Sequence, residues 1–194
     1  MTATSISLLQ RLAREPDSES WQRLVDVYTP LLKQWLGRYD VQDADADDLV
    51  QDVLLVVSRE LKQFEHNRRT GAFRSWLRTI LVHRLRRFWD KQKQRPAATG
   101  GSDVLQQLDQ LEDAASRISR LWDREHDEHV VRRLLDLMEP RFSAETWRAF
   151  WRIVMDEAKT DAVAAELGIS RNSVYIAKSR VLSILRLEAQ GLID

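Results

Sequence analysis

Apolar side chains recur along this chain at intervals of three and four, the spacing that gathers them on one face of an α-helix. Leu24, Val27, Tyr28, Leu31, Leu32 and Trp35 form the first such stripe, with Gly37 as its stop and Pro30 allowing a kink or break. A second helix is expected from Asp45 to Leu61, turning Leu49, Val53, Val56 and Val57 inward. Asp45 can cap it, and its acids crowd the first turn, where the helix dipole favours negative charge. The third, Ala72 to about Lys91, collects Phe73, Trp76, Leu77, Ile80, Leu81, Leu85 and Phe88 in one stripe and keeps Arg74, Arg78, Arg86 and Lys91 off its centre. Arg84 falls on the apolar side of that helix. It must snorkel, pair with a carboxylate or reach a ligand.

Pro96 and the paired Gly100 and Gly101 interrupt the pattern between Arg95 and Asp103, and a domain boundary is expected there. Beyond it, Leu105, Leu108, Leu111, Ala115, Ile118 and Trp122 suggest a further amphipathic helix, and Val130, Leu134, Leu137 and Met138 carry helical spacing on to Pro140. Ser143 suits the N-cap of a helix bearing Trp147, Phe150, Trp151, Val154 and Met155 on one face. β-type alternation of useful length is missing. The expected fold is all-α, with two small helical domains over 1–95 and 117–194 joined by a linker over 96–116.

From Thr160 to Tyr175 the chain reads as a helix-turn-helix. Ala162, Ala164 and Ala165 let two helices cross closely, Gly168 makes the turn, and Ser170 caps the longer second helix. Val163, Leu167, Ile169, Val174, Val181, Leu182 and Leu185 can fill the core between them. That leaves Arg171, Asn172, Ser173, Tyr175 and Lys178 near the start of the second helix, where Arg and Asn can bond base edges and Ser, Lys and the helix N-terminus suit phosphates.

Composition narrows the compartment and the chemistry. In 194 residues there are no cysteines, which removes disulfides, thiolate metal sites and Cys nucleophiles. Neither a signal-peptide pattern nor an apolar run long enough to span a bilayer is present, so a cytoplasmic protein without a membrane partner is expected. The formal net charge is zero, yet the charges are segregated. Asp40 to Glu60 is acidic with Arg59 as its basic exception, whereas Lys62 to Arg95 is basic with Glu65 and Asp90 against it. Such a division suits a protein that meets a protein partner with one face and phosphate with another. His126 and His129 sit in a charged helix without the His-Glu-x-x-His spacing of zinc proteases and are expected to be solvated, and Asp45, Asp47 and Asp48 read better as caps and docking charges than as a two-metal site. No metal, cofactor or catalytic residue is assigned.

Three segments, in this order, resemble the extracytoplasmic-function group of the sigma-seventy-type family of bacterial RNA polymerase specificity subunits. Asp45-Ala46-Asp47-Asp48-Leu49-Val50-Gln51-Asp52 is similar to the family's acidic helix in its second conserved region. The resemblance implies docking on the clamp helices of the largest polymerase subunit, with Asp45, Asp48, Gln51 and Asp52 as the contact residues. Gly71 to Ile80 is similar to the adjoining segment that opens and holds the minus-ten promoter element. Arg74, Arg78, Arg86 and Arg87 would then meet the strand backbone, Trp89 could stack on an unpaired base, and the loop His66 to Thr70 could take a flipped one. The helix-turn-helix resembles the fourth region, which reads the minus-thirty-five element.

The chain departs from the family pattern at Leu81 and His83, and by placing Tyr175-Ile176-Ala177 before Lys178-Ser179-Arg180. Its target sequence therefore cannot be borrowed from relatives. The resemblance implies a non-enzymatic initiation factor whose partners are core RNA polymerase and promoter DNA, and it admits an anti-sigma factor among them. A free-standing helix-turn-helix repressor or activator, and a metal-dependent DNA-processing enzyme, are the other function classes the residues leave open.

Overall fold

A computed structural model describes residues 7–14, 17–64, 70–93 and 101–193. Among them every regular element is a helix: α1 (Leu8–Arg14), α2 (Ser18–Gly37), α3 (Asp43–Glu60), α4 (Ala72–Lys93), α5 (Gly101–Glu112), α6 (Arg117–Met138), α7 (Ala144–Val154), α8 (Thr160–Leu167) and α9 (Arg171–Ala189), with short 3-10 turns after α3 and α6. The all-α expectation holds. None of these helices is long and apolar enough to cross a membrane.

Local signals set most of the boundaries. Asp17, Ser116, Ser143 and Ser170 each accept a backbone N–H three residues on, capping α2, α6, α7 and α9. Helix α3 begins earlier than expected: Gln42 holds the cap position without a side-chain bond, and Asp45 sits inside the first turn. Pro30 does not end α2, which runs through it to Gly37 with the ring on the exposed side. The stripe from Leu105 to Trp122 is divided between two helices, because the chain turns at residues 113–116.

One continuous cluster of buried side chains runs through both halves of the chain, from Leu8 on α1 to Leu192 after α9. Helix α6 is its hub, packing against α2, α4, α5 and α9. Trp122 of α6 is fully buried with its ring edge against Trp35 of α2, centroids 5.1 Å apart, and its Nε1–H donates to the Arg74 carbonyl at 3.2 Å. A buried aromatic of this size contributes about 2–3 kcal/mol. A smaller cluster of Ala149, Val163, Ala164, Val174 and Ala177 holds α8 and α9 to α7. Residues 94–100, at the expected boundary, lie outside the described residues; the rest of the 96–116 segment consists of α5, packed on α4 and α6, and the turn after it.

Two histidines correct the sequence reading. His126 is fully buried and His129 half-buried, where both were expected to be solvated. His126 Nε2 lies 3.1 Å from the Tyr28 hydroxyl and its Nδ1 lies 2.9 Å from Asp127, while His129 Nε2 bonds the Val27 carbonyl at 2.8 Å. Both rings are turned inward by contacts that lie about a hundred residues away in sequence, which helical periodicity does not report. Among the described residues no group of carboxylates and histidines is arranged to hold a metal.

Candidate nucleic-acid interface

Helix α3 presents Asp48, Gln51 and Asp52 to solvent on one face, with Asp45 half-buried at its start. Ala46, Leu49, Val50, Val53, Leu54 and Val57 take the opposite, buried face. Leu55, 46% exposed, extends the outer surface toward a shallow apolar groove where α3 meets α1 and α2, bordered by Leu12, Trp21 and Val25. The acids also form one wall of a cleft whose other wall is basic: Asp45, Asp48 and Asp52 face Arg84, Arg87 and Lys91 of α4. Arg84 thereby finds its place. It leaves the apolar stripe for the carboxylate-lined cleft, so a guanidinium on the apolar side of α4 costs the core little.

Helix α4 begins after Gly71, whose φ of +74° lies in the left-handed region that favours glycine. A Cβ there would stand 2.6 Å from Arg74 Nε, so the glycine also gives that guanidinium room to cross its own backbone. Arg74 uses the room to bond Asp127 at 2.5 Å and to approach Asp123 at 3.4 Å. Arg78 reaches the same Asp123 at 3.2 Å and is only 5% exposed, although the stripe of α4 placed it away from the core. Burial, partly opposed by the Asp123 charge, holds the Arg78 guanidinium below its ordinary pKa. Arg86 bonds Asp109 and Glu112, each at 2.6 Å. Burial works against that charge, yet the two carboxylates outweigh it and raise the Arg86 pKa. Arg87 is exposed. Trp89 is half-buried, packed edge-on to Phe88 with centroids 5.4 Å apart and its Nε1 enclosed. Of the loop His66 to Thr70, residues 66–69 lie outside the described residues and Thr70 is exposed.

At the other end, α8 closes on Gly168, with φ +66° and open space where a Cβ would stand. The Ile169 N–H returns to the Ala164 carbonyl at 3.1 Å, completing the turn. Ser170 Oγ accepts from the Ser173 N–H at 3.0 Å and starts α9. Val174, Ala177 and Val181 face inward, and Arg171, Asn172 and Tyr175 project into solvent, while Ser173 and Lys178 are half-buried. Arg171 is ion-paired with Asp161 of α8. Ile176, 57% exposed beside Tyr175 at 58%, is a further candidate, which the sequence named only within the departure Tyr175-Ile176-Ala177 and gave no role. An exposed aliphatic on a recognition helix can pack on a thymine methyl, and the signal was its place outside the stripe of Val174, Ala177 and Val181.

The geometry supplies an exposed acidic helix face, an adjacent basic helix, and α8 turning at Gly168 into the capped α9. Residues 24–95, from within α2 to just past α4, match the family described as Sigma-70 region 2. Those residues are similar to a sigma-70 region 2. The match takes in the acidic face of α3 and all five candidate minus-ten residues on α4, whereas α5 to α9 lie beyond it. No curated protein matches the chain.

Proposed function

We propose that this chain is a sigma factor of the extracytoplasmic-function group, which docks on core RNA polymerase in the cytoplasm and directs it to promoters without being an enzyme itself. The observation that carries the reading is the match of residues 24–95 to the family described as Sigma-70 region 2, followed in the same chain by α8 and α9, a helix pair about Gly168 with Arg171, Asn172 and Tyr175 exposed. Residues 1–95 act as the polymerase-docking and minus-ten unit, 96–116 as the linker, and 117–194 as the minus-thirty-five unit. Asp45, Asp48, Gln51 and Asp52 meet the clamp helices of the largest subunit, since side chains three and four apart on one helix face can pair together with basic groups of a partner. Arg74, Arg78, Arg86 and Arg87 take the strand backbone and Trp89 an unpaired base, the combination of cations and aromatic surface that single strands require. Arg171, Asn172 and Tyr175 read base edges, with Ser173 and Lys178 on phosphate. An anti-sigma factor would compete for these same faces.

Transcription in vitro with purified core polymerase and genomic DNA tests the reading. Start sites that appear only when this chain is added are the expected result. Tight specific DNA binding by the chain alone, with no new start sites in the presence of core, would favour a free-standing repressor instead.

A further inference from the structure

Three of the α4 arginines assigned to DNA are occupied, and all by carboxylates from later in the chain. Asp123 and Asp127 of α6 hold Arg74, Asp123 also holds Arg78, and Asp109 and Glu112 of α5 hold Arg86. These pairs join residues 23 to 53 positions apart, so they arise from how α5 and α6 dock and not from helix-internal spacing. A carboxylate, like a phosphate, can accept two parallel N–H bonds from a guanidinium. With Arg78 only 5% exposed, no strand can reach it while α6 is in place.

The docking is anchored on both sides of the arginines. Trp122 is buried against Trp35 and bonds the Arg74 carbonyl, and His126 bonds Tyr28, so the face of α6 that carries Asp123 and Asp127 is fixed to α2 and α4 together. A second tie lies at the far end of the molecule. Glu188 of α9, its side chain 3% exposed, takes Arg11 of α1 at 2.9 Å, Arg23 of α2 at 3.5 Å and Arg141 at 3.0 Å, closing the last helix onto the first two.

We propose that α5 and α6 act as an internal phosphate mimic, a latch whose acids Asp109, Glu112, Asp123 and Asp127 cover the strand-binding arginines of α4 until the two halves part. The latch regulates the DNA site of the proposed sigma factor and rests on that reading for what α4 binds. Its consequence is quantitative. A chain competent only in a minor open population shows an affinity reduced by that fraction, so releasing the latch strengthens binding without adding a contact.

The test uses the full chain without polymerase and a fluorescein-labelled single-stranded oligonucleotide, read by anisotropy. Asp123→Asn with Asp127→Asn should bind about tenfold more tightly than wild type, as expected if about one chain in ten is open. Its salt dependence should steepen by about 0.7 in log–log slope for each arginine freed. Adding Arg74→Gln and Arg78→Gln to that variant should abolish the gain. The pair Asp109→Asn and Glu112→Gln, at side chains 71% and 41% exposed, releases Arg86 and carries the test if the α6 variant does not fold. Folded variants that bind like wild type overturn the latch. So does a gain that survives loss of Arg74 and Arg78, because it would reflect only the removal of negative charge. Wild-type transcription with core separates the two claims: new start sites without any gain in the variants sink the latch alone, and a gain without new start sites sinks the sigma reading alone.

Discussion

The Tyr28 hydroxyl and His126 Nε2 lie 3.1 Å apart in the buried seam between α2 and α6. With the ring neutral and its proton on Nδ1, Tyr28 donates to Nε2 and Nδ1–H donates to Asp127 Oδ1, so both nitrogens are satisfied. Burial lowers the His126 pKa; the bond and charge of Asp127, with Asp123, oppose that shift and Arg74 adds to it. His129 is lowered as well, again chiefly by burial, against its bond to Val27.

A pH dependence follows from these two rings. Each binds its proton less well in the folded chain than in the unfolded one, so between the depressed folded pKa and the ordinary value near 6.5 the unfolded state holds more protons. Stability therefore rises with pH across that window and falls as pH drops below about 6.5. Urea unfolding between pH 7.5 and 5.5 should show the loss, and His126→Gln should make it shallower. A flat profile for wild type would contradict the burial of both rings.

Glu188 gives a second, separate window. Burial alone would raise its carboxyl, but the Arg23 charge and the bonds from Arg11 and Arg141 outweigh it and hold the pKa below the usual value of 4.5. Its contribution is present above that value and lost as pH falls through the folded pKa. Glu188→Gln should cost about 2 kcal/mol at neutral pH, from three guanidiniums deprived of a shared buried anion. Denaturant titration at pH 7 and pH 4 checks both statements, since the difference between variant and wild type should narrow at the lower pH.

Gly71 and Gly168 separate two costs of adding a methyl group. Both have positive φ, so alanine at either should destabilise by about 1–2 kcal/mol through backbone strain. At Gly168 the new Cβ meets open space, whereas at Gly71 it meets the Arg74 guanidinium held by Asp127. Gly71→Ala should therefore be the costlier change in a denaturant titration.

The helices were legible because their signals are local. Ser143 and Ser170 cap where they were expected to, Gly168 makes the turn, and the stripes of α2, α3 and α4 bury the residues they predicted except Val56, Trp76 and Phe88, which are half-buried. The docking of α6 was not legible. A heptad-like pattern says which face of a helix is apolar, and it says nothing about an arginine such as Arg78 that is buried because Asp123, 45 residues later, neutralises it. His126 and Arg84 were misread or left open for the same reason: their partners belong to other helices. The exposure of Asp48, Asp52, Arg171 and Asn172 followed from helical spacing, although the pairing of Arg171 with Asp161 of α8 did not.

Docking on polymerase is expected to depend on the exposed face of α3. Asp48 and Asp52 lie one turn apart and point outward, so reversing both charges removes up to two ion pairs with a basic partner. Both acids also line the cleft opposite Arg84, Arg87 and Lys91, so the reversal adds like-charge repulsion there, and Asn at both positions is the companion variant that removes the charges without it. Co-purification of the double variant with core polymerase should drop sharply while its circular dichroism is unchanged. Equal recovery of variant and wild type would remove α3 as the docking helix.

Selectivity at the minus-thirty-five element is expected to divide among the outward residues of α9 by chemistry. Arg171 and Asn172 carry donors that suit base edges, but in the free chain Arg171 is paired with Asp161, and that pair must open before it can read a base. Tyr175 and Ile176, each more than half exposed, form an apolar surface one turn further along, suited to thymine methyls. Lys178 is half-buried and better placed to set the helix on phosphate. Replacing Arg171 or Asn172 by alanine should cost about 1–3 kcal/mol on the preferred site and relax preference at one position. Ile176→Ala should relax preference at a thymine, and Lys178→Ala should weaken all sites alike and lower the salt slope by about 1. Asp161→Asn should have the opposite effect to Arg171→Ala, tightening the specific complex, because Arg171 no longer leaves a carboxylate to reach its base. Sequence selection with polymerase holoenzyme carrying each variant distinguishes these outcomes; the same motif and affinity from Arg171→Ala and Asn172→Ala would shift the readout to Tyr175 and Ile176.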